Sequence, residues 1–212
     1  MATASEAPYP ASLHIDYPEH PDRLTTLFRI FTVIPIAIIL GLVSGGGTNS
    51  GAQTTEGVRY SYAAGGIIFA ATLLMILFRQ KYPRWWFDWN YNLTKFSYRV
   101  GAYFLLLMHQ YPSTDEDQAV HLDLVYPNVP VELNRWLPLV KWFLAIPHYI
   151  VLFFLGIAAA IVTVIAWFAI LIAGTYPREL FDFVVGVGRW ALRVQAYAIL
   201  LITDRYPPFS LN

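Results

Sequence analysis

The chain has 212 residues, 57% of them hydrophobic and 17% aromatic, with 13% charged and a formal net charge of zero. That is too apolar for a soluble enzyme of this size and too evenly charged to favour a nucleic-acid partner. Cysteine is absent, which excludes disulfides, thiolate metal sites and iron–sulfur clusters.

The N-terminal stretch MATASEAPYPASLHIDYPEHPDR lacks the basic start and apolar run of a secretory signal, so insertion is expected to be driven by the apolar segments themselves. Within it Ser12–Asp16 alternates apolar and polar residues and reads as a short strand. Residues 24–43 form a first apolar segment, about 30 Å long if helical and so long enough to span a bilayer. A Gly/Ser/Thr-rich loop follows at Ser44–Ser61, then a second apolar segment at 62–80. These two are expected to form a helical hairpin with both ends on one side of the membrane.

Residues 87–109 read differently. Asp88, Asn92, Lys95, Arg99 and Tyr103 fall on one stripe of a 3.6-residue helix whose remaining surface is apolar. Cations at the bilayer centre cost about 2.5–3.5 kcal/mol each on insertion scales, so the helix is expected to lie in the interface with its cations toward headgroups. A polar linker, 113–118, leads to a second strand-like segment, Ala119–Val125.

The stretch from Leu139 to Ala173 holds a single charge, Lys141. As one helix it would be roughly 52 Å long, against about 30 Å of hydrocarbon. Two spans, 137–156 and 157–174, meeting in a tight turn near Gly156 are therefore expected. A second amphipathic helix, 181–203, places Asp182, Gly186, Arg189, Arg193 and Tyr197 on one stripe.

The order of these pieces repeats. LHIDYP (13–18) returns as VHLDLVYP (120–127). Arg23, Arg29 and Pro35 return as Arg135, Lys141 and Pro147, and Tyr82-Pro83-Arg84 returns as Tyr176-Pro177-Arg178. Lys95 and Arg99 return as Arg189 and Arg193 at an offset of 94. The expected fold is an all-α integral membrane protein of two tandem hairpins, hence four transmembrane segments. An amphipathic interfacial helix trails each hairpin and a short strand-like segment leads it. The repeats cover 1–112 and 119–212. Of the 14 Lys and Arg residues only Arg59 lies in the 44–61 loop, so the tendency of cations to stay inside puts the termini in the cytoplasm and the chain in the cell membrane as a multi-pass protein.

The segments YP-x-x-x-x-R at 17–23, AIPHYIVLFFLGIAA at 145–159, IAWFAILIAGTYPRELFDF at 165–183 and RVQAYAILLITDRYPPFSL at 193–211 resemble the bacterial family called domain of unknown function 4389. The resemblance implies an integral membrane protein and carries no activity, ligand or catalytic residue. The first repeat departs from the pattern, with Ile34-Pro35-Ile36 where the motif has Ile-Pro-His.

Candidate sites follow from residue type. Arg84, Lys95, Arg99, Arg178, Arg189 and Arg193 are candidates for lipid headgroups, against a plain anchoring role. His148, just after Pro147 in an apolar run, is an intramembrane polar candidate; the simpler account is an imidazole bonded to a carbonyl that Pro147 frees. His14 and Asp16 with His121 and Asp123 are weak metal candidates if the two strands pair. No nucleophile motif, phosphate loop or dinucleotide fingerprint appears, so no catalytic residue, no metal and no cofactor is expected, and the chain is not expected to be an enzyme. The expected role is a non-enzymatic accessory or scaffold subunit among membrane lipids and other membrane subunits. The alternative is a lipid-binding or small-solute transport module using the cleft between the repeats.

Overall fold

The computed structural model describes residues 8–19, 21–44 and 64–212. The expected loop at 44–61 lies, apart from Ser44, outside the described residues. The elements in order are β1 (Ala11–Ile15), α1 (Arg23–Val43), α2 (Ala64–Arg79), α3 (Arg84–Phe104), β2 (Val120–Leu124), α4 (Val129–Glu132), α5 (Pro138–Leu144), α6 (Ile146–Ala173) and α7 (Arg178–Ala198). The fold is mostly helical, and among the described residues two helices, α1 and α6, are long and apolar enough to cross a membrane.

The two lead-in segments pair with each other. β1 and β2 form an antiparallel ribbon with Leu13 opposite Leu122 and His14 opposite His121. The alternation read in the sequence sorts the faces, as a period of two requires: Leu13, Ile15, Val120 and Leu122 are buried, while His14 and His121 point out. The buried side of the ribbon rests on α3 and α7, and the other faces of those helices pack on α1 and α6.

The turn expected near Gly156 is not there. In place of spans 137–156 and 157–174 the chain forms the short α5, a one-residue break at Ala145, and the 28-residue α6 running straight through Gly156. The four-segment layout is corrected accordingly. A lone helical glycine costs only about 1 kcal/mol relative to alanine, too little to stop a helix with Leu, Ile and Ala on both sides. The break falls just before Pro147, which lacks an N–H and is tolerated only in the first turn of a new helix. One buried stripe, Lys141, Ala145, His148, Ala159, Ala166 and Ile170, runs through both helices, so α5 and α6 act as a single arm. In α1 the corresponding stripe is Thr26, Arg29, Val33 and Ile36.

α6 ends at Gly174, whose φ of 75° is the left-handed cap that favours glycine. An added Cβ would sit 3.1 Å from Nη2 of Arg23, a mobile tip, so the backbone sets the cost. Gly174→Ala is expected to lose about 1–2 kcal/mol, read as a lowered unfolding midpoint in mild detergent; an unchanged midpoint would contradict this account of the cap.

α3 and α7 begin at Arg84 and Arg178, just after Pro83 and Pro177, three residues ahead of the expected 87 and 181. They end at Phe104 and Ala198; the chain leaves helical geometry soon afterwards, with positive φ at Leu106 and Leu201. α7 is largely buried, whereas α3 is buried along Phe87, Phe96, Val100 and Tyr103 and leaves Trp85, Trp89 and Phe104 exposed. Much of the apolar surface that periodicity assigned to the interface packs on α1, α6, the ribbon and the C-terminal tail.

Candidate functional site

Among the described residues four cations are buried, and each is held by backbone carbonyls. Arg29 on α1 donates from Nη1 to the carbonyls of Tyr103 (3.1 Å) and Met108 (2.8 Å), and its Nη2 lies 3.4 Å from His109 Nδ1. Its guanidinium carbon stands 4.5 Å from the Tyr103 ring centre. Lys141 on α5 does the matching work at the end of α7: its Nζ donates to the Thr203 carbonyl (2.7 Å), pairs with Asp204 (2.6 Å) and stands 5.2 Å from the Tyr197 ring centre. Both cations thus tie the chain where it leaves α3 or α7, a stretch where carbonyls run short of helical donors. The sequence displays Arg29 and Lys141 as a recurrence and Lys141 as a lone charge in an apolar run, but their partners sit more than fifty positions away and carry no local signal.

Of the six headgroup candidates, three are turned inward. Arg99 donates to the Ser113 carbonyl (2.7 Å) and Arg193 to the Ser210 carbonyl (2.5 Å), both buried. Arg189 donates to the carbonyls of Leu13 (3.2 Å) and Leu211 (3.0 Å). The reason is geometric: the stripe that carries them faces the ribbon, the linker and the tail, whose backbone needs donors. Lys95 is half-buried on α3, while Arg84 and Arg178 stay exposed at the helix starts.

Those helix starts are clasped from the other half of the chain. The Tyr17 hydroxyl donates to the Tyr176 carbonyl, and the Tyr126 hydroxyl to the Tyr82 carbonyl. Arg178 lies over the Tyr17 ring at 4.6 Å and Arg84 over the Tyr126 ring at 4.9 Å. Arg23 reaches the Ile172 carbonyl near the end of α6 at 3.4 Å, and Arg135 reaches the Leu77 carbonyl near the end of α2 at 2.6 Å. A cation at the carbonyl end of a helix is favoured by the helix dipole.

His148 is fully buried in a cage of rings. The Trp190 indole N–H donates to its Nδ1 at 3.1 Å, Phe209 stacks at 4.0 Å between centres and Tyr206 lies at 4.8 Å. Accepting at Nδ1 leaves the neutral ring's proton on Nε2, which has no hydrogen-bond partner. The partner is an indole, not a carbonyl freed by Pro147, and the matching position on α1 is Ile36.

His109, just past the end of α3, is held below the ordinary histidine range, chiefly by burial and then by the Arg29 cation, with Asp22 partly opposing. A base whose folded value is depressed takes up its proton first in the unfolded chain, so its contribution is full above about pH 6.5 and is lost as pH falls below that. Stability is expected to fall between pH 7 and pH 5 by up to about 1.4 kcal/mol per unit from this group, and His109→Gln to remove that share. Equal slopes for the two proteins in a pH series of unfolding would contradict the assignment.

On the outer face of the ribbon, His14 and His121 stack at 6.1 Å, and Asp16 lies 3.4 Å from Nε2 of His14 and 3.0 Å from Nε2 of His121. Pairing thus brings both imidazoles and one carboxylate together; Asp123 sits opposite Ser12. Among the described residues no group of three or more ligand side chains is arranged to hold a metal. The imidazole–carboxylate contacts account for the pattern without one.

Two apolar clefts open between the described helices. One, of about 380 Å³, opens where α6 meets α3, α7 and β1, lined by Gly156, Ala159, Ala160, Gly188, Ala191 and Gly101 among others. The other, of about 330 Å³, lies between α1 and α6 beside Arg29, Phe104 and Trp167. Small side chains leave the first one open. Residues 136–210 match the family Domain of unknown function (DUF4389). That stretch runs from α5 through the His148 cage to the C-terminal tail. No curated protein and no solved structure matches the chain.

Proposed function

We propose that the chain is a non-enzymatic membrane protein, an accessory or scaffold subunit built from two matched units that brace one another. The observation that carries this reading is the exposure of the two long apolar helices. Only 11% of the residues in the most apolar window of α6 and 22% of those in that of α1 are buried in the protein. Phe31, Ile38, Phe153, Phe154 and Phe168 all stand exposed, a patch far larger than a soluble monomer leaves uncovered.

The matched units find support in the paired contacts: Arg29 with Lys141, Arg99 with Arg193, Tyr17 with Tyr126 and Arg23 with Arg135 each make the same kind of bond at corresponding places. The last two pairs cross between the units. Such a brace is a rigid frame with no catalytic constellation among its described residues, which suits a subunit that holds others in place. Membranes from cells expressing the chain, washed at alkaline pH, are expected to retain it, and native mass spectrometry after mild extraction to show a stoichiometric protein partner. Release into the wash would defeat the membrane reading, and a partner-free species would defeat the accessory one.

A second reading is favoured by the 380 Å³ cleft. Its small, apolar lining suits an acyl chain, making the protein a lipid-binding module. Co-extracted phospholipid that resists delipidation, and is lost in Ala160→Phe, would support it.

A further inference from the structure

We propose that the apolar side of this protein docks into a single leaflet of a lipid bilayer, with α1 and the α5–α6 arm lying along the membrane plane and none of them crossing it. The proposal rests on the membrane reading above and adds how the chain sits.

Orientation is the first argument. The first half of α6 packs on α7: His148 bonds Trp190, and Ala159 and Ala160 share a cleft with Val184 and Val185. An upright α6 would carry the packed α7 into the bilayer with it, and α7 holds Asp182, Arg189 and Arg193. Packed against α7 is the ribbon, with His14, His121 and Asp16 on its open face. Among the described residues the ribbon has two strands, so each has an unpaired backbone edge. Unpaired edges are not tolerated in hydrocarbon. The ribbon belongs in water, and α6 must then lie flat beneath α7.

Length is the second. At about 1.5 Å per residue α6 alone measures about 42 Å, against roughly 30 Å of hydrocarbon. Laid flat, it has no mismatch to absorb.

Placement of the cations is the third. Arg23 and Arg178 stand at the C-terminal end of α6, while Arg135 stands ahead of α5 at the opposite end of the arm. Arg84, which follows α2, belongs to that opposite end, since Arg135 bonds the end of α2. Upright, the arm would put one pair in each compartment. Flat, it brings all four to one interface, with exposed Trp85, Trp136 and Trp142 at the same level. Between these ends the exposed surfaces of α1 beyond Arg23 and of α6 carry no charge. An apolar face rimmed by tryptophan and arginine is the pattern of an element seated at the boundary of headgroups and acyl chains.

The absence of cysteine makes the test direct. Single cysteines carrying a spin label, Ile150→Cys, Phe154→Cys, Ile161→Cys and Phe168→Cys, sample one exposed face along α6. Glu132→Cys and Glu179→Cys lie outside the two ends of the arm. In liposomes of neutral phospholipid the four labels are expected to show the same oxygen accessibility and the same depth. The two end cysteines are expected to react with an impermeant maleimide from the same side. Depth that peaks at Phe154 and Ile161 and falls toward both ends, with the end cysteines reached from opposite sides, overturns the flat arrangement and leaves the membrane reading standing. Failure to float with the liposomes overturns both. Labels shielded from oxygen and from water alike would show that a folded protein covers the face, and would overturn the lipid assignment.

Discussion

Replacing Asp204 with alanine is expected to destabilise the protein by about 3–5 kcal/mol, the range found when one partner of a buried ion pair is removed. Lys141 is fully buried, and Asp204, 2.6 Å from its Nζ, is its only anionic partner among the described residues. Without the carboxylate, the ammonium keeps one carbonyl and the face of the Tyr197 ring, with no opposite charge beside it. Lys141→Met should cost less. Asp204 is 21% exposed by its side chain and still accepts from the Asn134 amide at 2.5 Å, so its charge retains water and one donor. The double variant should lose less than the sum, since two residues in contact couple. The measurement is chemical unfolding in a mild detergent for all four proteins. A loss under about 1 kcal/mol for Asp204→Ala, the range of an exposed pair, would sink the claim that this contact is buried and structural.

Much of the frame was legible in the sequence because its signals are local. The alternation in HID and HLDLV fixed which strand faces are buried, and the ribbon follows. The 3.6-residue stripes located α3 and α7 to within a few residues. The YPR steps marked where those helices start. Repeating spacings singled out Arg29 and Lys141 before any contact was visible. What escaped was set by partners distant in the chain. Periodicity distinguishes an apolar face from a polar one, but not lipid from protein as the cover of the apolar face, so α7 reads as interfacial when α6 in fact lies on it. The cations of its polar stripe were assigned to headgroups for the same reason, although the tail around Ser210 and Leu211 had carbonyls to satisfy. The turn at Gly156 came from comparing helix length with bilayer thickness, an argument that holds only for a helix standing upright. Gly156 itself has open space around the position of a Cβ and no strain to relieve by bending.

Arg29→Met is expected to cost about 3 kcal/mol, since it removes charge-assisted hydrogen bonds worth roughly 1.5–3 kcal/mol each; the Tyr103 carbonyl keeps the Leu106 N–H at 3.3 Å, while the Met108 carbonyl loses its Arg29 donor. The case differs from that of Lys141 in kind. No carboxylate pairs with Arg29 among the described residues, so removing the cation strands no opposite charge. The loss should therefore stay below that of Asp204→Ala, although the two sites occupy matching places. Arg29→Lys should recover only part of it: one ammonium is more strongly hydrated than a guanidinium and cannot present the planar fork that reaches two carbonyls and His109 together. A second readout separates this account from simple loss of packing. The Arg29 cation is one of the two causes that hold His109 low, so in Arg29→Met the pKa of that imidazole should rise toward its ordinary value. The fall in stability between pH 7 and pH 5 should then become shallower than in the parent protein. A variant that is less stable yet keeps the parent's pH slope would show that Arg29 fills space at this corner without acting on it through charge.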